Sequence, residues 1–262
     1  MEMLNSLLQF NTPQFQSFIL LVARFSGLFL TAPVFSNPVI PKMVKLGLMF
    51  FLGFIIFPFV EKIPLVYENP FTLFVALVKE FGIGVFLGFF VSLIFIGLQL
   101  AGQFIDYQTG FGLVNVIDPE SQVQVPLAGR FLYILAALLF LIIGGHHLII
   151  KSLAESFRVF PLGNFTFDLR LLAVINRTFV QLFFIAFKIA APVVAAVFLA
   201  EMSYGVVARA IPQLNILIVG LPLKLGLGTY FLLLTLPFFF WIVKREFFNI
   251  FLSIRNLFQL LR

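Results

Sequence analysis

Residues Phe81–Ile105 read FGIGVFLGFFVSLIFIGLQLAGQFI, a run of 25 positions without a charged side chain. At about 1.5 Å per residue, a helix of that length crosses a hydrocarbon layer of roughly 30 Å with some to spare. The run therefore points to a bilayer. Leu46–Val60, Phe131–Ile150 and Leu225–Val243 are also uncharged apart from Lys151 just beyond the second of them, and each is close to span length. Hydrophobic residues make up 61% of the chain and charged ones 11%, against roughly 25% charged in an ordinary soluble domain.

Working outward, six candidate segments emerge: Phe15–Thr31, Val44–Val60, Leu73–Ile105, Leu127–Ile150, Thr178–Leu199 and Leu225–Val243. The expectation is an all-α, polytopic helical membrane protein forming one domain over residues 1–262. A further apolar piece, Ile211–Leu223, is interrupted by Pro212, Gly220 and Pro222 and reads as a re-entrant or broken helix. The longest hydrophilic connection, Lys151–Arg177, is too short for a separate soluble domain. No basic residue precedes Arg24, so the start lacks the positive region of a cleaved signal and the first span is read as retained.

The formal charge is +6, but the basic residues are scattered singly through short connections. That pattern fits topology signals and anionic lipid headgroups and offers no patch for nucleic acid. With six spans, nine basic residues fall on the side of both termini and five on the other, which predicts cytoplasmic termini. After Lys244, Phe247, Ile250, Phe251, Ile254, Leu257, Phe258 and Leu261 share one helical face, so the tail is expected to lie on a membrane surface or a partner. There is no cysteine, hence no disulfide, thiolate nucleophile or cysteine metal site.

Within the third segment, Gly84, Gly88, Ser92, Gln99, Gln103 and Asp106 fall on one helical stripe. Small residues let a neighbouring backbone approach, and amides at membrane depth need partners. Helix packing accounts best for the glycines; Gln99, Gln103 and Asp106 are candidates to face a wet passage or a partner. Just beyond comes Gly110–Ser121, GFGLVNVIDPES, a glycine-flanked loop. An ordinary polar turn explains Asp118 and Pro119, but it leaves Phe111, Leu113, Val114, Val116 and Ile117 exposed unless they seal something. Irregular backbone at a span end must be packed in protein or line water, so a gate is the leading reading.

Arg24, Lys79, Glu80, Arg177, Lys188 and Arg209 lie within or beside apolar segments, where a charge implies a partner or a cavity. Arg209 precedes Pro212, Gln213 and Asn215 and belongs either to a solvated breach or to an interface. Enzyme chemistry is poorly supported. His146 and His147 are adjacent and cannot act as an HExxH pair, no nucleotide-loop lysine follows the glycines, and no catalytic group cluster stands out. No metal or cofactor is expected. A secondary transporter would also use broken helices, but no clear inverted repeat accompanies them.

Four stretches carry a resemblance: APVFSNPVIPKMVKLGL from Ala32, GQFIDYQTGFGLVNVIDPES from Gly102, GGHHLIIKSLAESFRVFPLG from Gly144, and KIAAPVVAAVFLAEMSYGVVARAIPQLNILIVGLPLKLGLG from Lys188. In this order and over nearly the whole chain, they resemble the FliR family of the flagellar type III export gate, whose injectisome relatives are called SctT. The resemblance implies a non-enzymatic component of a protein-conducting gate. It implies assembly with FliP and FliQ homologues into a closed helical complex, contact with FlhB and FlhA homologues, and passage of exported flagellar proteins. It implies residence in the bacterial inner membrane at the flagellar basal body, with transport driven by the proton-motive force and a separate ATPase. It also implies that Gly110–Asp118 is a pore-plugging loop, with Phe111 and Val114 as seal residues, Gly110 and Gly112 giving flexibility, and Leu113, Asn115 and Asp118 beside them. The region Ile211–Pro222 becomes an assembly contact, bringing in Arg209, Pro212, Gln213, Asn215 and Pro222. The Asn115–Pro119 pattern and the PQLNI run lean toward the flagellar branch, with the injectisome branch as the alternative.

Overall fold

The computed structural model describes residues 13–61, 67–113, 126–164, 170–210 and 216–260. Among them every regular element is helical: α1 (Pro13–Thr31), α2 (Pro33–Ser36), α3 (Lys42–Ile56), α4 (Pro70–Thr109), α5 (Leu127–Ile142), α6 (Gly145–Val159), α7 (Arg170–Ala210), α8 (Ile216–Leu234) and α9 (Leu236–Leu260). Short 3-10 turns follow α3 and α4 at Phe57–Phe59 and Phe111–Leu113. The chain is a polytopic helical membrane protein. Among the described residues four helices are long and apolar enough to cross a membrane, and the number is six where each of two bent pairs counts as one span.

The six expected segments survive, but two of them are not straight. The expected span Leu127–Ile150 is α5 and α6, bent by 67°. Gly144 sits at the corner with φ 72°, a left-handed conformation that glycine adopts without a Cβ clash, and its carbonyl accepts the first hydrogen bonds of α6 from His147 and Leu148. The expected span Leu225–Val243 is α8 and α9, bent by 53° at Thr235. Pro237 has no N–H to donate back into α8 and takes a first-turn position, where that lack is harmless, so a new helix begins. Conversely, α8 continues through Gly220 and Pro222, where the broken helix had been expected. Pro222 lies on the exposed side, and apolar helices tolerate one missing bond. Residues Ile211–Asn215 lie outside the described residues.

Backbone contacts divide the chain into two compact units, Met1–Ser92 with Gly144–Asn176 and Phe247–Arg262, and Leu93–Ile143 with Arg177–Glu246. In the first unit, α1 is the core helix: Leu20, Leu21, Phe25 and Leu28 are completely buried. It meets α4 backbone to backbone. A Cβ added to Gly27 would strike the Phe81 carbonyl, one on Gly84 the Arg24 carbonyl, and one on Gly88 the Thr31 hydroxyl. The glycines therefore serve helix packing, and the order of these contacts makes α1 and α4 run parallel. Between them in sequence, α3 returns along α1, with Gly53 against Leu21 and the Phe18 ring edge-on to Phe57 at 5.5 Å.

The end of α9 belongs to this unit. Phe247, Ile250, Ile254, Leu257 and Phe258 are buried, and Phe258 meets Phe160 edge-on at 6.3 Å. The amphipathic tail, expected on a membrane surface or a partner, thus covers part of its own chain. Amphipathicity records that an apolar stripe is covered, not by what.

In the second unit, the C-terminal half of α4 forms a hairpin with α5. Gly102 and Gly129 bring the two backbones together, and Phe95 contacts Tyr133 and Phe140 at 5.3 and 5.9 Å. Gly97 lies against the backbone of Leu182 on α7, while Gly228 on α8 admits the Thr109 side chain. All five helices of the unit converge on an apolar void of about 10 Å³ near the α8–α9 bend, lined by Ile105, Leu132, Ile189, Leu232, Thr235 and Phe239 among others.

Candidate functional site

The last turns of α4 deliver the chain into the loop singled out by its sequence. Gly110 ends the helix with φ 87° while its N–H still donates to the Asp106 carbonyl at 3.0 Å, the glycine-terminated ending that Cβ-bearing residues disfavour. Phe111, Gly112 and Leu113 then form one 3-10 turn. Phe111 is half-buried, and a Cβ on Gly112 would meet open space. Val114, Asn115 and Asp118 lie outside the described residues.

Asp106 ties the two ends of this connection together. It is buried, and both its oxygens accept from the N–H of Ala128, at 3.1 and 3.2 Å. Ala128 is in the first turn of α5, whose leading N–H groups have no partner within their own helix, and Pro126 before it offers no capping side chain. A carboxylate there satisfies an orphan donor and complements the positive end of the helix dipole. On the same stripe, Gln103 is half-buried and Gln99 exposed, so of the three polar candidates only Asp106 turns inward.

Two residues before the loop, Gln108 donates from Nε2 to Oε2 of Glu201 on α7 at 3.0 Å. The other carboxylate oxygen of Glu201 accepts from Lys224 Nζ on α8 at 2.5 Å. Thr109 returns its hydroxyl to the Ile105 carbonyl and fits against Gly228. Three helices thereby fix the exit of α4. The sequence reading missed Gln108, Glu201 and Lys224, whose signal was faint: a glutamate within an apolar helix and a lysine in the next, which would need each other. Arg209, at the end of α7, is exposed, as is Pro222; Pro212, Gln213 and Asn215 lie outside the described residues.

Residues 15–250 match the sequence pattern of the family described as "Bacterial export proteins, family 1". The chain belongs to that family. Similarity to other members runs nearly end to end: the flagellar biosynthetic protein FliR of Bacillus subtilis (strain 168) is 36% identical over 94% of this chain and 96% of its own length. FliR of Aquifex aeolicus is 32% identical over 82% of this chain and 83% of its own. The Yop proteins translocation protein T of Yersinia pestis is more distant, 26% identical over 83% of this chain and 85% of its own.

In this member of the family a second polar constellation lies in the first unit. Arg24 and Glu80 are both fully buried, with Nε 2.6 Å from Oε2. Arg24 also donates from Nη1 to the Ser156 hydroxyl at 3.0 Å and from Nη2 to the Phe160 carbonyl at 2.8 Å, over the face of Phe157. The second oxygen of Glu80 accepts the Gly163 N–H at 2.9 Å. The charges thus cancel, and each guanidinium nitrogen and carboxylate oxygen has a partner, as burial in an apolar setting demands. Of the other charges flagged in the sequence, Lys79, Arg177, Lys188 and Arg209 are all exposed; Lys188 reaches the Trp241 ring at 5.9 Å, as does Arg245 at 5.5 Å.

Proposed function

We propose that this chain is a non-enzymatic structural component of the flagellar type III protein export gate, forming with FliP and FliQ homologues the pore through which flagellar subunits cross the inner membrane. The observation that carries the reading is the near full-length similarity to flagellar FliR at 36% identity, against 26% for the injectisome-type translocation protein. Its site is the bacterial inner membrane at the flagellar basal body, and FlhB and FlhA homologues are its further neighbours. The whole chain acts as one integral membrane domain, a reading supported by α4, α7 and α9 each belonging to both compact units; the nine-to-five balance of basic residues supports cytoplasmic termini.

In this scheme the connection from Gly110 to Asp118 plugs the pore. Support comes from its entry and exit: a glycine hinge, an inward Asp106 that fastens α5 beside α4, and the Gln108–Glu201–Lys224 tie. A rigid base is what a loop needs if it is to seal reversibly. Gln99 and Gln103 face the passage or a neighbouring subunit, and Arg209, Pro212, Gln213, Asn215 and Pro222 form an assembly contact. Chemistry is left to the separate ATPase and the proton-motive force, so this chain takes no cofactor.

The test is co-purification in mild detergent through a tag on the C-terminal helix, followed by mass spectrometry of the intact complex. Recovery at fixed stoichiometry with FliP and FliQ homologues is the expected result. Recovery as a lone monomer or homodimer overturns the assignment.

A further inference from the structure

In the first unit, α4, the end of α6 and the start of α7 enclose a groove of about 250 Å³. Among the described residues its walls are Ile83, Phe86, Phe160, Leu171 and Ile175, all apolar, and the charged residue lining it is Lys79. Gly82 lines it as well, and a Cβ added there would meet no atom within 4 Å, so the space above this glycine is open. An apolar cavity of about 150 Å³ already takes up a guest the size of benzene, so this groove has room for a longer one.

The groove is held in shape from behind. The carbonyl of Phe160 is fixed by Arg24 at 2.8 Å, and Gly163 is fixed by Glu80 at 2.9 Å. The same arrangement decides the local charge. Glu80 is adjacent to Lys79 in sequence but points inward, with both oxygens engaged by Arg24 and Gly163. Lys79 is exposed and makes no ion pair among the described residues. A cation beside an apolar slot on a membrane helix lacks a counter-charge, and its flexible stem lets the ammonium reach toward one.

We propose that this groove binds one acyl tail of an anionic glycerophospholipid whose phosphate rests on the Lys79 ammonium. The bilayer presents that ligand at solvent concentration. It also joins, in one molecule, apolar filling for the walls and a negative charge for the Lys79 ammonium. Free phosphate would match only the lysine, and a neutral tail only the walls.

The experiment uses the full chain with whatever co-purifies with it, stripped of lipid by detergent exchange. It is then offered phosphatidylglycerol and phosphatidylcholine with identical tails, and bound lipid is counted by native mass spectrometry. Wild type should retain phosphatidylglycerol over phosphatidylcholine by about five-fold or more, the scale one basic side chain supplies near an anionic headgroup. Lys79→Gln should erase that preference and Lys79→Arg should keep it. Gly82→Phe, which fills open space, should lower both lipids several-fold, and Ile175→Trp should do so from the opposite wall if the first variant folds poorly. Equal retention of the two lipids by wild type, or wild-type retention by both filled variants, overturns the proposal. So does a photoreactive residue at position 175 that cross-links to a polypeptide and not to lipid.

Discussion

Arg24 and Glu80, separated by 56 positions in sequence, place a guanidinium nitrogen 2.6 Å from a carboxylate oxygen, both side chains shielded completely. The pair joins α1 to α4 at the level where Gly84 lets the two backbones touch, and through Ser156 and Phe160 it extends to α6 and the turn after it. Close backbone approach and charge pairing support each other here, because the pair can form at this distance only if no Cβ separates the helices.

Removing one member of the pair should be far worse than removing both. Arg24→Met or Glu80→Leu alone leaves an uncompensated buried charge and should lower stability by roughly 3–5 kcal/mol. The double replacement should recover a large part of that loss. Denaturation in detergent, followed by loss of the monodisperse peak on size exclusion, reads both results; equal losses for the double and single variants would contradict the account.

Two glycines on one helix should respond oppositely. At Gly84 a methyl would overlap the Arg24 carbonyl, so Gly84→Ala should force α1 and α4 apart and cost about 1–3 kcal/mol, as overpacking does. At Gly82 nothing stands within 4 Å, so Gly82→Ala should gain up to about 1 kcal/mol from helix propensity. Thermal unfolding of the two variants side by side distinguishes a packing glycine from an incidental one.

Asp106→Ala should loosen the start of α5. The Ala128 N–H would be left buried without its acceptor, at about 1–3 kcal/mol. Asp106→Asn keeps one acceptor oxygen and should cost less. Protection of the α5 amides in hydrogen exchange should fall in the order wild type, Asn, Ala; unchanged protection in the Ala variant would remove Asp106 from the clamp.

Under the proposed function, deleting Gly110–Val116 should make the assembled complex leak ions while assembly is preserved. Planar-bilayer conductance of the intact complex measures this, and a conductance equal to wild type in an assembly shown to be complete would count against the plug. Gly110→Val is the milder version: a β-branched residue at φ 87° is strained by about 1–3 kcal/mol, so the hinge should shift without removing the seal residues.

Most of the helical plan was legible because apolar length is a one-dimensional property, and bilayer thickness converts it directly into spans. The glycine stripe was legible for the same reason: Gly84 and Gly88 recur at helical spacing. What escaped was geometry set by a single residue. Gly144 turns a chain that hydropathy reads as continuous, and Pro237 sits in the first turn of a new helix whereas Pro222 lies inside one, a difference that residue type alone does not carry. The tail after Lys244 was legible as an amphipathic helix but not as a lid on its own unit. Charges were legible as costly; that Arg24 chooses Glu80, and that Gln108, Glu201 and Lys224 meet, depends on helix crossings no local pattern encodes.

With 40 residues, α4 is about 60 Å long, twice the thickness of a hydrocarbon layer, and it exposes Phe71, Phe74, Val75 and Val78 near its start. No tilt within the usual range hides such a rod in lipid, so a copy inserted on its own leaves oily surface in water. In the proposed assembly that surface is covered by neighbouring subunits, so copies made in excess of them would stay incompletely covered.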